Sequence, residues 1–181
     1  MIVGKRVRLR ADEHADIPSF VAWMNDREVT QYLLRNDPMS TAQEEKWFER
    51  MLSRPPEECP LAIEISTPGG WTLIGNTSLF DFDWINRYAE IGIFIGAKEY
   101  WSQGYGTEAM QLMLKHGFED YGLNRIHLRV YSNNPRGQAC YVKAGFKKEG
   151  VLRQAVFRNG QFLDVILMGI LSSEWFEKER V

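Results

Sequence analysis

Cysteine is scarce in this chain: there are two, Cys59 and Cys140, and no CxxC pair. That excludes a disulfide framework and a cysteine-built zinc site, and it fits a reducing compartment, so a cytoplasmic location is expected. Histidine is almost as sparse. His14, His116 and His127 show no metal-ligand spacing to one another or to acidic residues, so no metal is expected. No apolar run approaches the roughly 18 residues of a membrane span. The opening MIVGKRVRLR has no apolar stretch long enough for a secretory signal and reads as a first strand. Net charge is only −2 at pH 7, too small for general attraction to nucleic acid or membrane. The aromatics are not interleaved with a basic stripe, which argues against a base-stacking platform. The chain also lacks GxSxG, GxxxxGKS/T and a full GxGxxG, which disfavours a serine-hydrolase elbow, a triphosphate loop and a dinucleotide fingerprint.

What is present describes an ordinary globular protein. The 181 residues suit one domain over positions 1–181, and the 44% apolar and 25% charged composition argues against disorder. Lys5–Arg10 alternates Val7 and Leu9 with basic residues, as a half-buried strand does. Asp16 is placed to cap a helix carrying Ile17, Phe20, Val21 and Met24, and a second short helix is read over Glu28–Leu34. Ser40 and Gln43 have capping-box spacing ahead of Trp47, Phe48 and Met51. Strands are read at Leu61–Ser66, Trp71–Phe80 and Ala89–Gly96, the first two joined by a Pro68-Gly69-Gly70 turn. Thr107–Tyr121 has helical periodicity and Gly122 ends it. A strand at Arg125–Tyr131 and a helix at Pro135–Ala144 follow. The strands Gly150–Arg158 and Gln161–Leu171 then flank Asn159-Gly160, a strong two-residue hairpin signal. The order is strand, two helices, three strands, helix, strand, helix, two strands. That is an α+β class rather than a regular alternation.

Charge is unevenly distributed. Residues 11–60 carry 5 basic and 11 acidic groups, whereas residues 121–160 carry 8 basic and 1 acidic. The first stretch suits a cationic partner and the second an anionic one. Trp101-Ser102-Gln103-Gly104-Tyr105-Gly106-Thr107 lies between a strand and an amphipathic helix. Glycines at such a turn let backbone N–H groups approach a phosphate or pyrophosphate at the positive helix end. On the preceding strand, alternation sets Tyr88, Glu90, Gly92 and Phe94 on one face, opposite Ile91, Ile93 and Ile95. Glu90 is thereby kept off the isoleucine face and is a candidate general base. Asp81 and Asp83 are second choices, equally suited to gripping a cationic amine.

The turn is followed about 30 residues later by Asn134-Pro135, then Tyr141, Lys143, Gly145 and Phe146, an N-P-x(5)-Y-x-K-x-G-F pattern. Together these resemble the GNAT superfamily of acyl-CoA N-acetyltransferases over nearly the whole chain. Trp101 departs from the Arg or Gln usual at the start of the turn motif, a position that mainly contributes backbone. The closing stretch Lys147–Met168 is similar to spermidine and diamine acetyltransferases. The opening Asn25–Val29 with Trp47 is closer to the ribosomal-protein alanine acetyltransferases.

The resemblance implies a mostly antiparallel central sheet with helices on both faces, and acetyl-CoA as the acetyl donor. It implies that Ile93, Phe94 and Ile95 present main-chain groups to the pantetheine arm. Trp101, Ser102, Gln103, Gly104, Tyr105, Gly106 and Thr107 would hold the pyrophosphate, and Asn134 would contact the pantetheine or acetyl end. Tyr141 takes the family's general-acid position, where a phenol protonates or hydrogen-bonds the departing thiolate. The basic stretch adds Arg136 and Lys143 near the nucleotide. The expected partner is a primary amine: a polyamine, a protein N-terminus, an aminoglycoside or an amino sugar. The alternative is a non-catalytic acyl-CoA-binding or sensing module on the same fold. The aromatic C-terminal stretch with Trp175 and Phe176 suggests a homodimer.

Overall fold

A computed structural model describes residues 1–33 and 37–179. The sheet has eight strands in the order β1-β2-β3-β4-β5-β6-β8-β7. These are β1 Ile2–Val3, β2 Val7–Ala11, β3 Leu61–Thr67, β4 Gly70–Asp83, β5 Tyr88–Ile95, β6 Arg125–Tyr131, β7 Lys147–Arg158 and β8 Gln161–Leu171. The helices are α1 Ile17–Met24, α2 Arg27–Thr30, α3 Thr41–Met51, α4 Tyr105–Lys115, α5 Pro135–Ala144 and α6 Ser172–Glu179. All strand pairs are antiparallel except β5 with β6.

The local chemistry explains most boundaries. Ser40 and Gln43 form the reciprocal capping box, with Gln43 N–H to Ser40 Oγ at 3.2 Å and Ser40 N–H to Gln43 Oε1 at 2.8 Å. Asn159 and Gly160 adopt φ of 48° and 78°, the paired positive values that a two-residue hairpin turn needs. Gly122, at φ 63°, follows the helix read from Thr107; its last stretch, His116–Asp120, is a π turn after α4.

Other expectations shift. The first strand is two, because Gly4 turns back on Val7 through an N–H to carbonyl bond of 2.8 Å. The second helix spans only Arg27–Thr30, and Leu34 lies outside the described residues. Asp16 does not cap α1 with its side chain. Both its oxygens accept from Arg10, at 2.7 and 2.8 Å, because the half-buried guanidinium is the stronger donor.

The core lies between the sheet and α4. Ile91 on β5, Met110, Met113 and Leu114 on α4, and Leu9, Ile63, Ile74, Leu79 and Ile126 on other strands are all buried in it. The opposite face of β5 meets α1, where Phe94 packs edge-on to Phe20 and Trp23. Helices thus cover both faces of the sheet. β5 pairs with β6 only over Tyr88–Glu90 and Arg125–His127. β4 follows β5 to Ile95 and β8 follows β6 to Tyr131. Past Glu90 and His127 the two parallel strands therefore part, and the sheet opens as a wedge.

One buried carboxyl is poorly satisfied. Asp12, just after β2, is 5% exposed, and its Oδ1 has no hydrogen-bond partner among the described residues. Its Oδ2 has only Asn76 at 3.5 Å. Burial pushes its pKa up to about 7, with Asp16 and Glu44 adding to the rise against Asn76 and Arg10. The folded state thus binds this proton more tightly than the unfolded chain does. Asp12's contribution to stability is full below the ordinary value of 3.8, falls as pH rises toward 7, and stays low above it. Asp12→Asn is expected to raise the Tm by about 3 °C or more at pH 8 and to give no gain at pH 4, as read by thermal melts across that range.

Candidate active site

The turn between β5 and α4 is held from behind. Ser102 and Gly104 take φ of 60° and 88°, which bends the chain sharply into the helix. Trp101 Nε1 donates to the Ile95 carbonyl at 2.7 Å, tying the turn to the end of β5. Glu108 in the first turns of α4 accepts from Arg6 N–H at 2.7 Å, Val7 N–H at 3.1 Å and Arg6 Nε at 3.1 Å. Burial pushes the Glu108 carboxyl up, but those donors outweigh it and leave its pKa below the ordinary value. No side chain caps α4, and its first return bond is Glu108 N–H to Gly104 carbonyl at 3.0 Å. The N–H groups of Tyr105, Gly106 and Thr107 are left without protein acceptors among the described residues. Uncapped donors at the positive helix end form an anion site.

Across the wedge, α5 begins at Pro135. Asn134 Oδ1 accepts from Gly137 N–H at 2.9 Å and caps it. The Arg136 guanidinium lies 3.5 Å from the centre of the Trp101 ring, joining the starts of α4 and α5. α5 carries Tyr141 inward, with its ring edge-on to Phe146 at 6.2 Å. The Tyr141 hydroxyl makes no hydrogen bond to another described residue. Burial, with a contribution from Cys140, pushes its pKa well above the ordinary phenol value, so it holds its proton at every physiological pH.

A cavity of about 350 Å³ gathers these features. It is lined by Ile93, Phe94 and Ile95, by Trp101, Ser102, Gly104, Tyr105, Gly106 and Thr107, and by Asn134, Arg136, Tyr141 and Lys143. The expected cofactor residues thus converge on one space, with two qualifications. Gln103 turns away: its side chain donates to Glu99 O at 2.7 Å and its carbonyl accepts from Arg6 at 3.2 Å. The Thr107 hydroxyl lies 3.5 Å from the Cys140 thiol, which links α4 to α5.

The acidic candidates fare differently. Glu90 is 8% exposed and does not line the cavity. Arg129 Nε and Nη2 hold its two oxygens at 2.9 and 3.0 Å, and His127 Nε2 stands 3.7 Å away. Both Glu90 oxygens are thus engaged by Arg129 away from the cavity lining, which is not the placement that the reading of Glu90 as general base expects. Asp83 is spent on the β4–β5 turn, accepting from Asn86 N–H and Nδ2, both at 2.8 Å. Asp81 is exposed, at φ 52° in a bulge, and neither aspartate lines the cavity. Sequence reasoning missed Val29 on α2, Tyr32 and Leu33 just beyond it, and Arg129, all of which line it. Arg129 had a usable signal, since alternation along β6 sets it on the face of His127, opposite Glu90 in register.

Uncapped backbone donors, a parted strand edge and a protonated phenol in one cavity are the parts of an acyl-CoA-dependent transferase. Residues 6–147 match the family described as Acetyltransferase (GNAT) domain. The Vibrio cholerae spermidine N(1)-acetyltransferase is 27% identical over 97% of this chain and 99% of its own. The Bacillus subtilis N-acetyltransferase YoaA is 29% identical over 92% of this chain and 93% of its own. The crystal structure of the Vibrio cholerae spermidine N-acetyltransferase in complex with CoA and spermine superposes with a TM-score of 0.86 at 28% identity, covering 96% of this chain and 99% of that one. The chain belongs to the GNAT acetyltransferase family and is an N-acetyltransferase.

Asn134 holds the start of the helix that carries Tyr141. Asn134→Ala is expected to cost about 1 kcal/mol and to lower the Tm by about 2–4 °C. Asn134→Asp, which keeps the acceptor oxygen, should stay within about 1 °C of the parent protein in the same melt.

Proposed function

We propose that this protein transfers an acetyl group from acetyl-CoA to a primary amine, both substrates being bound together. The observation that carries the reading is that the uncapped start of α4, the free edge of β5 and Tyr141 open onto a single cavity. The residues present fit acetyl-CoA. The N–H groups of Tyr105, Gly106 and Thr107 suit its diphosphate, with Arg136 and Lys143 adding positive charge along the same wall. The edge of β5 over Ile93–Ile95 suits the amides of its pantetheine arm, as an added strand does. Acetyl-CoA supplies the acetyl group as an activated thioester.

Tyr141 donates from its hydroxyl to the sulfur as negative charge builds there, and the shifted phenol keeps that proton available throughout the neutral range. Backbone N–H groups of β5 polarise the acyl oxygen, and most of the rate comes from holding the amine against the acyl carbon. The ammonium proton leaves through water in the open part of the cavity. The spermine complex of the Vibrio cholerae relative supports a small-molecule amine as acceptor.

Tyr141→Phe should lower kcat by about 100-fold while the CoA dissociation constant, measured by calorimetry, changes less than about twofold. In the parent protein kcat/KM should climb with pH as the amine deprotonates, because the neutral amine is the nucleophile. A descending limb is expected only above about pH 10, since burial raises rather than lowers the Tyr141 pKa. A descending limb near pH 8 or 9, or full activity in Tyr141→Phe, would remove the phenol from the mechanism.

A further inference from the structure

The cavity has an unexpected electrostatic character. Besides the α4 and α5 starts, it is lined by Val29, Tyr32 and Leu33 from the α2 side, Phe94 from β5, and Arg129 from β6. No aspartate or glutamate among the described residues lines any part of the cavity, whereas Arg129, Arg136 and Lys143 do. Arg136 belongs to the nucleotide side, stacked on Trp101. Arg129 stands on the other lip, two residues past the last β5–β6 pair, where the wedge opens.

The acids nearest in sequence to the apolar arm are held elsewhere. Asp26 and Glu28 accept from the Lys98 ammonium at 2.7 and 2.8 Å, outside the cavity. Glu90 lies behind Arg129 and is shared between Arg129 and His127. Asp81 is near enough to favour the Arg129 charge, but it too lies off the lining. A polyamine brings two or more extra ammonium groups, and each needs a carboxylate or open water. This wall offers aromatic and aliphatic surface and a cation.

Arg129 is prepared for an anion. Glu90 takes Nε and Nη2, which fixes the plane of the guanidinium. Nη1 has no protein partner among the described residues, and the side chain is 50% exposed and lines the cavity. Two N–H donors on a rigidly held guanidinium match the oxygens of a carboxylate.

We infer that the acceptor is an amine bearing its own carboxylate, an amino acid with an apolar or aromatic side chain, whose carboxylate is received by Arg129 Nη1. Glu90 is then a positioning residue that aims Arg129. The inference rests on the N-acetyltransferase reading and narrows it.

The test compares leucine, methionine and phenylalanine, each against its own carboxamide, together with spermidine and spermine, by release of CoA thiol from acetyl-CoA. The carboxamides have the more easily deprotonated amines, so chemistry alone favours them. The expected result is that at least one amino acid has a KM about tenfold or more below that of its carboxamide, and kcat/KM above both polyamines. Arg129→Gln should abolish that difference while the CoA dissociation constant stays within about twofold. Glu90→Gln should raise the KM for the amino acid and leave the KM for its carboxamide unchanged, a split that a purely structural role does not produce. If Arg129→Gln does not fold, the paired comparison in the parent protein still decides. Transfer to polyamines or carboxamides in preference to every amino acid overturns this inference and leaves the N-acetyltransferase reading standing. Transfer to no amine at all overturns both.

Discussion

The parting of two parallel strands is the constraint on which the site depends. β5 and β6 share three residue pairs and then separate, although each keeps its other neighbour to the end. A strand edge left open inside a protein carries N–H and C=O groups that need partners. The uncapped start of α4, in the connection that follows β5, raises the same demand. A ligand with amides on an extended arm and a diphosphate at its end satisfies both. On the proposed reading, the backbone defines the donor substrate more than any side chain does.

Holding such a turn ready without its ligand needs support from behind, and the chain provides it through residues that never reach the cavity. Glu108 fastens the first turns of α4 to the β1–β2 turn by three hydrogen bonds, and Gln103 fastens the loop to Glu99. Trp101 is used twice, with its indole N–H on Ile95 and its face under Arg136. The donors at the start of α4 are thus fixed before binding, and little ordering is left to oppose it.

Local signals gave up the elements readily. The Ser40–Gln43 box, the Asn159-Gly160 turn and the apolar period of α4 each act within a few residues, so they are visible without the fold. The cavity residues that motif spacing marks, from Ile93 to Tyr141, came together for the same reason. What could not be read was who partners whom across the sheet. Glu90 looks like a free carboxylate on a strand until the β5–β6 register sets it opposite His127 and within reach of Arg129, 39 residues away in sequence. Asp16 reads as a cap until Arg10 claims it. In both cases an arginine of the sheet holds the carboxylate, although Asp16 still accepts from Glu13 N–H. Acids of the 11–60 stretch behave alike: Asp16 is tied to Arg10, Asp26 and Glu28 are tied to Lys98, and none of the three lines the cavity.

The protonation states in the site then bear on the chemistry of the amine. Tyr141 keeps its proton, burial lowers the His127 pKa so that its ring is neutral at neutral pH, and Glu90 is committed to Arg129. No group in the cavity is poised as a base among the described residues. An acceptor ammonium of ordinary pKa near 10 must lose its proton at a cost of about 4 kcal/mol at pH 7. A cation beside the amine lowers that cost, because it disfavours the charged form. A carboxylate on the acceptor has the opposite effect unless it is itself paired. Arg129 eases the conflict by holding the carboxylate away from the ammonium, and the amine nitrogen is left next to apolar surface that disfavours its charge. One guanidinium thereby places the acceptor, and the apolar wall beside the amine eases its deprotonation.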